Sequence, residues 1–382
     1  MSGPVTRDRR QFLQLAAGAA SATLLGGCAK PAGLPKPATP PPPSLGVEGV
    51  DSLRFHAAQH HLLYGCAVTP QALKSDPRYA ALVAGQSSIL VAENAMKWAP
   101  MRPTPTTFYF DEADAIVAFA EKHRLKVRGH NLAWHRQLPR WFEVEANTGN
   151  AQQLLTNHIE VVAGRYAGRM HSWDVVNEAI KVEDKRPDGL RICPWLNLLG
   201  PEYIEIAFRA ARNADPQALL AYNDYGIENE RPEDYRKRAA VLLMLRRMKA
   251  RNVPIDALGI QCHVWAGGEY GPGLKSFMAE VRGLGLQIFL TELDVNDRRI
   301  APDPAVRDKA VADCYASFLD LALSEPAVTV LLSWGITDRY TWLNAEDARE
   351  DHLPERCLPF DRDYKPKGAF FAIRDSFDRR TV

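Results

Sequence analysis

The chain has 382 residues, 46% of them hydrophobic, enough for a full buried core and too many for a disulfide-framed miniprotein. Lys and Arg number 47 against 46 Asp and Glu, a formal net charge of +1, so no global field draws the protein to nucleic acid or another polyanion. A neutral partner is the expectation.

The amino terminus comes first. Arg9-Arg10 before Phe12-Leu13, followed by an apolar, small-residue stretch to Gly27, reads as a twin-arginine-like export signal over residues 1–27. The apolar stretch is shorter than the ~20 residues a spanning helix needs. Leu25-Gly26-Gly27-Cys28 resembles a lipobox, which predicts acylation of Cys28; an ordinary cleaved signal is the alternative. From Lys30 to Pro43, seven of fourteen residues are proline, a composition that gives a stiff, solvated spacer. Residues 28–47 are thus expected to be a lipidated cysteine and linker, and 48–382 a single folded domain. An exported lipoprotein is the expected form, periplasmic or on the cell surface, and Ala29 after Cys28 is compatible with a Gram-negative outer membrane. The lipid is the only membrane contact expected.

Past the linker, short β-rich apolar runs alternate with stretches of helical period. Strands are predicted at Leu62 to Val68, Ser87 to Ala92, Lys126 to Asn131, His171 to Val176, Leu219 to Tyr222, Ala257 to Cys262, Gln287 to Thr291 and Val328 to Ser333. Between them, Asp111 to His123, Pro201 to Asn213, Tyr235 to Ala250 and Arg307 to Leu323 space apolar residues three and four apart. In the last of these Ala310, Val311, Cys314, Tyr315, Phe318 and Leu319 line one face, which is expected to pack on the sheet. Eight strands alternating with helices predict an α/β fold, a closed (β/α)8 TIM barrel. An open doubly wound sheet competes, with less support, because no Gly-rich phosphate loop follows an early strand.

Polar residues gather just after the strand runs. Asn94, His130, Glu178, Asn223, His263, Glu292 and Trp334 follow one another at gaps of 36, 48, 45, 40, 29 and 42, each long enough for one βα unit, so one barrel mouth would collect them. Glu178 and Glu292 end buried-looking strands, where a carboxylate is costly without a task or a partner. Glycoside hydrolysis needs one carboxylic acid and one carboxylate, and two glutamates on facing strand ends supply them; a structural ion pair at the rim is the other reading. Trp98 reads as core. Trp334 and Trp342, either side of Asp338, read as ring faces for a sugar. The histidines lack a metal-binding pair such as H-E-x-x-H, and Cys66, Cys193, Cys262, Cys314 and Cys357 form no C-x-x-C, so no metal is expected and no disulfide pairing follows.

Eight ordered blocks resemble the family 10 glycoside hydrolases, its xylanases in particular. They are Glu93-Asn94-Ala95-Met96-Lys97-Trp98, Arg128 to His135, Trp173 to Glu178, Tyr222-Asn223-Asp224, Gly259 to His263, Thr291-Glu292-Leu293-Asp294, Trp334 to Asp338 and Tyr364 to Lys367.

The resemblance covers about Leu62 to Ile373 and implies an endo-β-1,4-xylanase acting on xylan and xylo-oligosaccharides; no cofactor is expected, and a monomer is the expected form, although the sequence does not fix association. The resemblance implies Glu178 as acid/base and Glu292 as nucleophile, with configuration retained and the carboxyls ~5–5.5 Å apart. It further implies that His263 bonds Glu292 and leans on Asp294, that Asn177 bonds the sugar 2-hydroxyl, and that Gln261 and Asn223 hold Glu178. Glu93, Asn94, Lys97, His130, Trp134, Trp334 and Trp342 match the glycone-side cleft. The departures are Ala95, Cys66 and Cys262. Lys181 to Leu199 is expected to be a loop on the leaving-group side. A β-1,4-glucanase of the same fold and a surface carbohydrate-binding scaffold without turnover are the alternatives.

Overall fold

The computed structural model describes residues 46–381; the expected export signal, Cys28 and the proline-rich stretch from Lys30 to Pro43 lie outside the described residues. Eight of the nine described strands form the barrel: β1 (Leu63–Val68), β2 (Ile89–Ala92), β3 (Lys126–Ala133), β4 (Ser172–Asn177), β5 (Leu219–Asp224), β6 (Ala257–Ile260), β7 (Gln287–Asn296) and β8 (Val328–Ser333); the ninth, His263–Trp265, pairs with the end of β7. Every neighbouring pair is parallel, and Leu63 of β1 pairs with Val330 of β8. That last pairing closes the barrel and excludes the open sheet. All eight strands lie where the apolar runs predict them, to within a few residues.

Helices sit between the strands. Pro304–Ala322 starts at Asp303, whose carboxylate accepts from the Ala305 and Val306 N–H groups, with proline at the first turn where no backbone donor is missed. It buries Val311, Cys314, Tyr315, Phe318 and Leu319, as the spacing predicts, whereas Ala310 is only half-buried. That face meets β7 and, more extensively, the C-terminal helix Gly368–Asp378. Each large apolar side chain removed from water in this way is worth about 1.5–3 kcal/mol.

Inside the barrel, Ile89, Val91, Ala221, Ala257, Phe289, Val330 and Leu332 form the apolar filling. Two charges share this space. Arg128 on β3 pairs with Asp174 on β4, both about 1% exposed, and the guanidinium lies 5.5 Å over the Phe289 ring. Asp174 also binds His130 Nδ1 at 2.9 Å. Buried charges of this kind hold only when matched and bonded.

Val47, which the composition assigns to the linker, is buried, and its carbonyl accepts Gln86 Nε2 at 2.7 Å. Gln86 ends the helix that leads into β2. The described chain therefore enters at the N-terminal face of the barrel, opposite the face where β4 and β7 deliver Glu178 and Glu292.

Candidate active site

Glu178 follows directly on β4 and has a left-handed backbone, φ +59°. A residue with a Cβ rarely adopts that conformation unless its surroundings hold it there. They do so here: the Glu178 N–H donates to Asn223 O at 2.8 Å, and Arg191 Nε donates to Glu178 O at 2.7 Å. The carboxylate receives Trp134 Nε1 on Oε2 at 2.8 Å, and Gln261 Nε2 and Asn177 Nδ2 on Oε1 at 3.1 and 3.3 Å. Burial pushes its pKa up, with the negative charges of Asp224 and Glu292 adding to the effect and the Trp134 and Gln261 hydrogen bonds opposing it.

Glu292 lies within β7. Asn223 Nδ2 donates to its Oε1 at 2.8 Å, and His263 Nε2 stands 3.2 Å from its Oε2. The other ring nitrogen of His263 meets Asp294 Oδ1 at 2.9 Å, and Trp342 Nε1 donates to Asp294 Oδ2 at 2.7 Å. Burial alone would raise the Glu292 pKa, but the His263 bond, the charges of His130 and His263 and the Asn223 amide together lower it to about 2. Burial would likewise disfavour imidazolium at His263, yet the two carboxylates outweigh it and raise its pKa well above the usual value. The two glutamates are thus driven apart, one toward the acid form and one toward the ion, which is the division that assigns acid and base roles to a carboxyl pair.

One cavity of about 900 Å³ opens at this end of the barrel. It is lined by Glu178 and Glu292 and by Asn177, Gln261, His263, Glu93, Asn94, Lys97, His130, Trp134, Trp334 and Trp342. Asn223 and Asp294 stand behind the wall, buried and touching the cavity residues. Lys97 Nζ donates to Asn94 Oδ1 at 2.9 Å and lies 5.0 Å from the Trp134 ring centroid. Burial lowers the Lys97 pKa against the pull of Glu292, Glu93 and Glu178, and burial raises that of Glu93. Trp98 is core, as expected, stacked on His158 at 3.8 Å between centroids.

Two expectations need correction. Asn223 does hold Glu178, but through its main-chain carbonyl; its side chain serves Glu292 and Asn177 instead, with Thr291 Oγ1 donating to its Oδ1 at 2.7 Å. The amide points across the barrel because Gly259 on the neighbouring strand leaves the space: a Cβ there would overlap Asn223 Oδ1. The stretch from Lys181 to Leu199 is not all loop. It contains a turn at Val182–Asp184 and a helix, Pro194–Leu199, that buries Trp195, whose Nε1 donates to Trp134 O at 2.9 Å. The cavity also takes in residues that the strand-end pattern does not reach, among them Arg191, Tyr225 and Trp265. His135 Nδ1 is 3.7 Å from Glu178 Oε2, and burial with Arg191 and Arg136 nearby lowers its pKa to about 3, which keeps the ring neutral.

A closed parallel barrel with two differently tuned carboxyls and indole walls in one cleft at the C-terminal ends of its strands defines a glycoside hydrolase. Residues 52–376 match Glycosyl hydrolase family 10, and the chain belongs to that family. It is 33% identical over 304 residues to "Endo-1,4-beta-xylanase B" of Thermotoga neapolitana, covering 79% of this chain and 84% of that one. It is 34% identical over 343 residues to "Endo-1,4-beta-xylanase A" of a Caldicellulosiruptor strain, covering 83% of this chain but only 46% of that longer protein. Among solved structures, xylanase 10B of Thermotoga petrophila in complex with xylobiose superposes with a TM-score of 0.78 at 32% identity, over 86% of this chain and 97% of that one.

Proposed function

We propose that the chain is a retaining endo-β-1,4-xylanase acting on xylan and xylo-oligosaccharides. The observation that carries this reading is the opposite tuning of Glu178 and Glu292 at a shared cavity, tied together through Asn223. Glu292, ionised and oriented by His263 and Asn223, attacks the anomeric carbon. As the glycosidic C–O bond breaks, the proton of Glu178 passes to the departing oxygen. The negative charge of Glu292 is then consumed in the glycosyl ester, which removes one of the influences that raise the Glu178 pKa. Glu178 next takes a proton from water, and the hydroxide attacks the same carbon and releases Glu292. Two displacements at one centre return the original configuration.

Asn177 donates to Glu178 Oε1 and accepts from Asn223 Nδ2, the amide that also bonds Glu292, and is the group proposed to bond the 2-hydroxyl of the sugar being cleaved, a contact that strengthens at the transition state. Glu93, Asn94, Lys97, His130 and Trp134 supply hydroxyl partners on the glycone side. Trp334 and Trp342 form a wall that a glucose hydroxymethyl would crowd. Glu292→Ala is expected to abolish release of reducing ends from xylan with the far-UV spectrum unchanged, and wild-type rates on xylan are expected to exceed those on cellulose. Undiminished turnover in the variant, or faster cleavage of cellulose, would overturn the reading.

The export signal, the lipid on Cys28 and outer-membrane placement belong to this proposal. The support is the sequence before Gly46, together with the entry of the chain at the face away from the cleft. Incorporation of labelled palmitate that persists in Cys28→Ala would remove the anchor from the picture.

A further inference from the structure

Beyond β6 the chain extends as a short strand, His263–Trp265, which pairs with the far end of β7: His263 opposite Asp294 and Trp265 opposite Asn296. Side chains two residues apart on a strand share a face. Val264 is buried on one side, while His263 and Trp265 both border the cavity. The strand that aims His263 at Glu292 therefore also delivers an indole to the same cleft, about 6.6 Å further along by the rise of extended chain. That separation puts Trp265 beneath a different sugar ring from the one at Glu292.

The direction follows from the order of strands round the barrel. The residues read as glycone-side come from the loops after β2, β3 and β8. Trp265 follows β6, next to the β5 loop that carries Tyr225, and so lies on the leaving-group side. Its outer surroundings are built to hold it. The Arg299 guanidinium sits 4.5 Å over the ring and Arg298 5.9 Å from its centroid, and neither arginine borders the cavity. The backbone is fixed as well: the Trp265 carbonyl accepts Gly268 N–H at 2.7 Å and Cys314 Sγ at 3.3 Å, and Ala266 N–H donates to Asn296 O at 3.0 Å. An indole half-exposed to the cleft, backed by a cation and pinned at its main chain is preorganised for one apolar ring face.

We propose that Trp265, backed by Arg299, is a stacking platform for a xylosyl unit of the leaving group beyond the one directly bonded to the scissile oxygen. This rests on the xylanase reading and adds chain-length selection to it. Binding energy gained on a remote sugar is available to the reaction only when the leaving group is long enough to reach it. Aryl glycosides, which carry no such sugar, gain nothing from it.

The test compares xylohexaose with an aryl β-xylobioside in wild type, Trp265→Ala and Arg299→Ala. For Trp265→Ala, kcat/KM on xylohexaose is expected to fall by about 10- to 50-fold, the scale of losing an aromatic anchor. The aryl xylobioside rate is expected to stay within about twofold, which also reports an intact fold. Arg299→Ala is expected to lower the xylohexaose rate in the same sense but less, and Trp265→Tyr to restore most of it. Equal loss on both substrates, or loss on neither, overturns the platform. A wild type that cuts neither substrate defeats the xylanase reading instead.

Discussion

Asn223 donates its amide to Glu292, Nδ2 to Oε1 at 2.8 Å, and with its own carbonyl accepts the N–H of Glu178 at the same distance. One side chain and one peptide oxygen of a single β5 residue thus set both carboxyl groups. Asn223 is fully buried, so it acts through the two glutamates as a positioning residue.

Asn223→Ala is expected to lower kcat by about 10²- to 10³-fold, the usual loss for removal of one preorganised donor at a reacting charge. Its amide is one of the groups that lower the Glu292 pKa to about 2, so its removal raises that value. Because Glu292 must be ionised to attack, activity disappears as pH falls through its folded pKa, and the acid limb of kcat/KM moves to higher pH in the variant. A loss of rate with the acid limb unmoved would show that the amide does not tune Glu292.

Trp134→Phe probes the opposite limb. Glu178 must be protonated for the first displacement, so activity is lost as pH rises through its folded pKa. Burial raises that pKa, and the indole N–H of Trp134 works against burial by stabilising the carboxylate. Phenylalanine keeps a ring and removes the donor. The alkaline limb of kcat/KM is expected to shift to higher pH; an unchanged or downward shift would contradict the role given to this bond.

Asp174→Ala tests the barrel interior. Arg128 would be left buried and uncompensated, at a cost of about 3–5 kcal/mol in unfolding free energy by denaturant titration. The paired change Arg128→Met with Asp174→Leu is expected to recover most of it, because the cost lies in the unmatched charge. A loss under about 1 kcal/mol in Asp174→Ala, below the range for breaking a buried pair, would mean that water reaches Arg128.

The strands were legible because a barrel strand is buried on both faces and its apolar run is local information. So were the residues that end them: Glu178, His263, Glu292 and Trp334 each follow such a run, and one rule about strand ends gathers them. Arg191, Tyr225 and Trp265 stand on loops and extensions with no period to betray them, and only the folded cleft shows that they meet the same space. The helix Pro194–Leu199 was hidden for a related reason. It is held by Trp195 reaching Trp134 O, a contact across 61 positions that a local reading cannot register.

By itself the sequence determined the order of βα units, the two glutamates and the family pattern around them, since each depends on the type and spacing of residues along the chain. Tertiary structure alone decided that the sheet closes through Leu63 and Val330, that Asn223 turns its amide to Glu292, and that Glu178 and Glu292 are tuned in opposite directions. The physical reason is that closure, desolvation and hydrogen bonding depend on distances between groups remote in sequence. Identical side chains can titrate oppositely once one is buried near like charges and the other is bonded to an imidazolium.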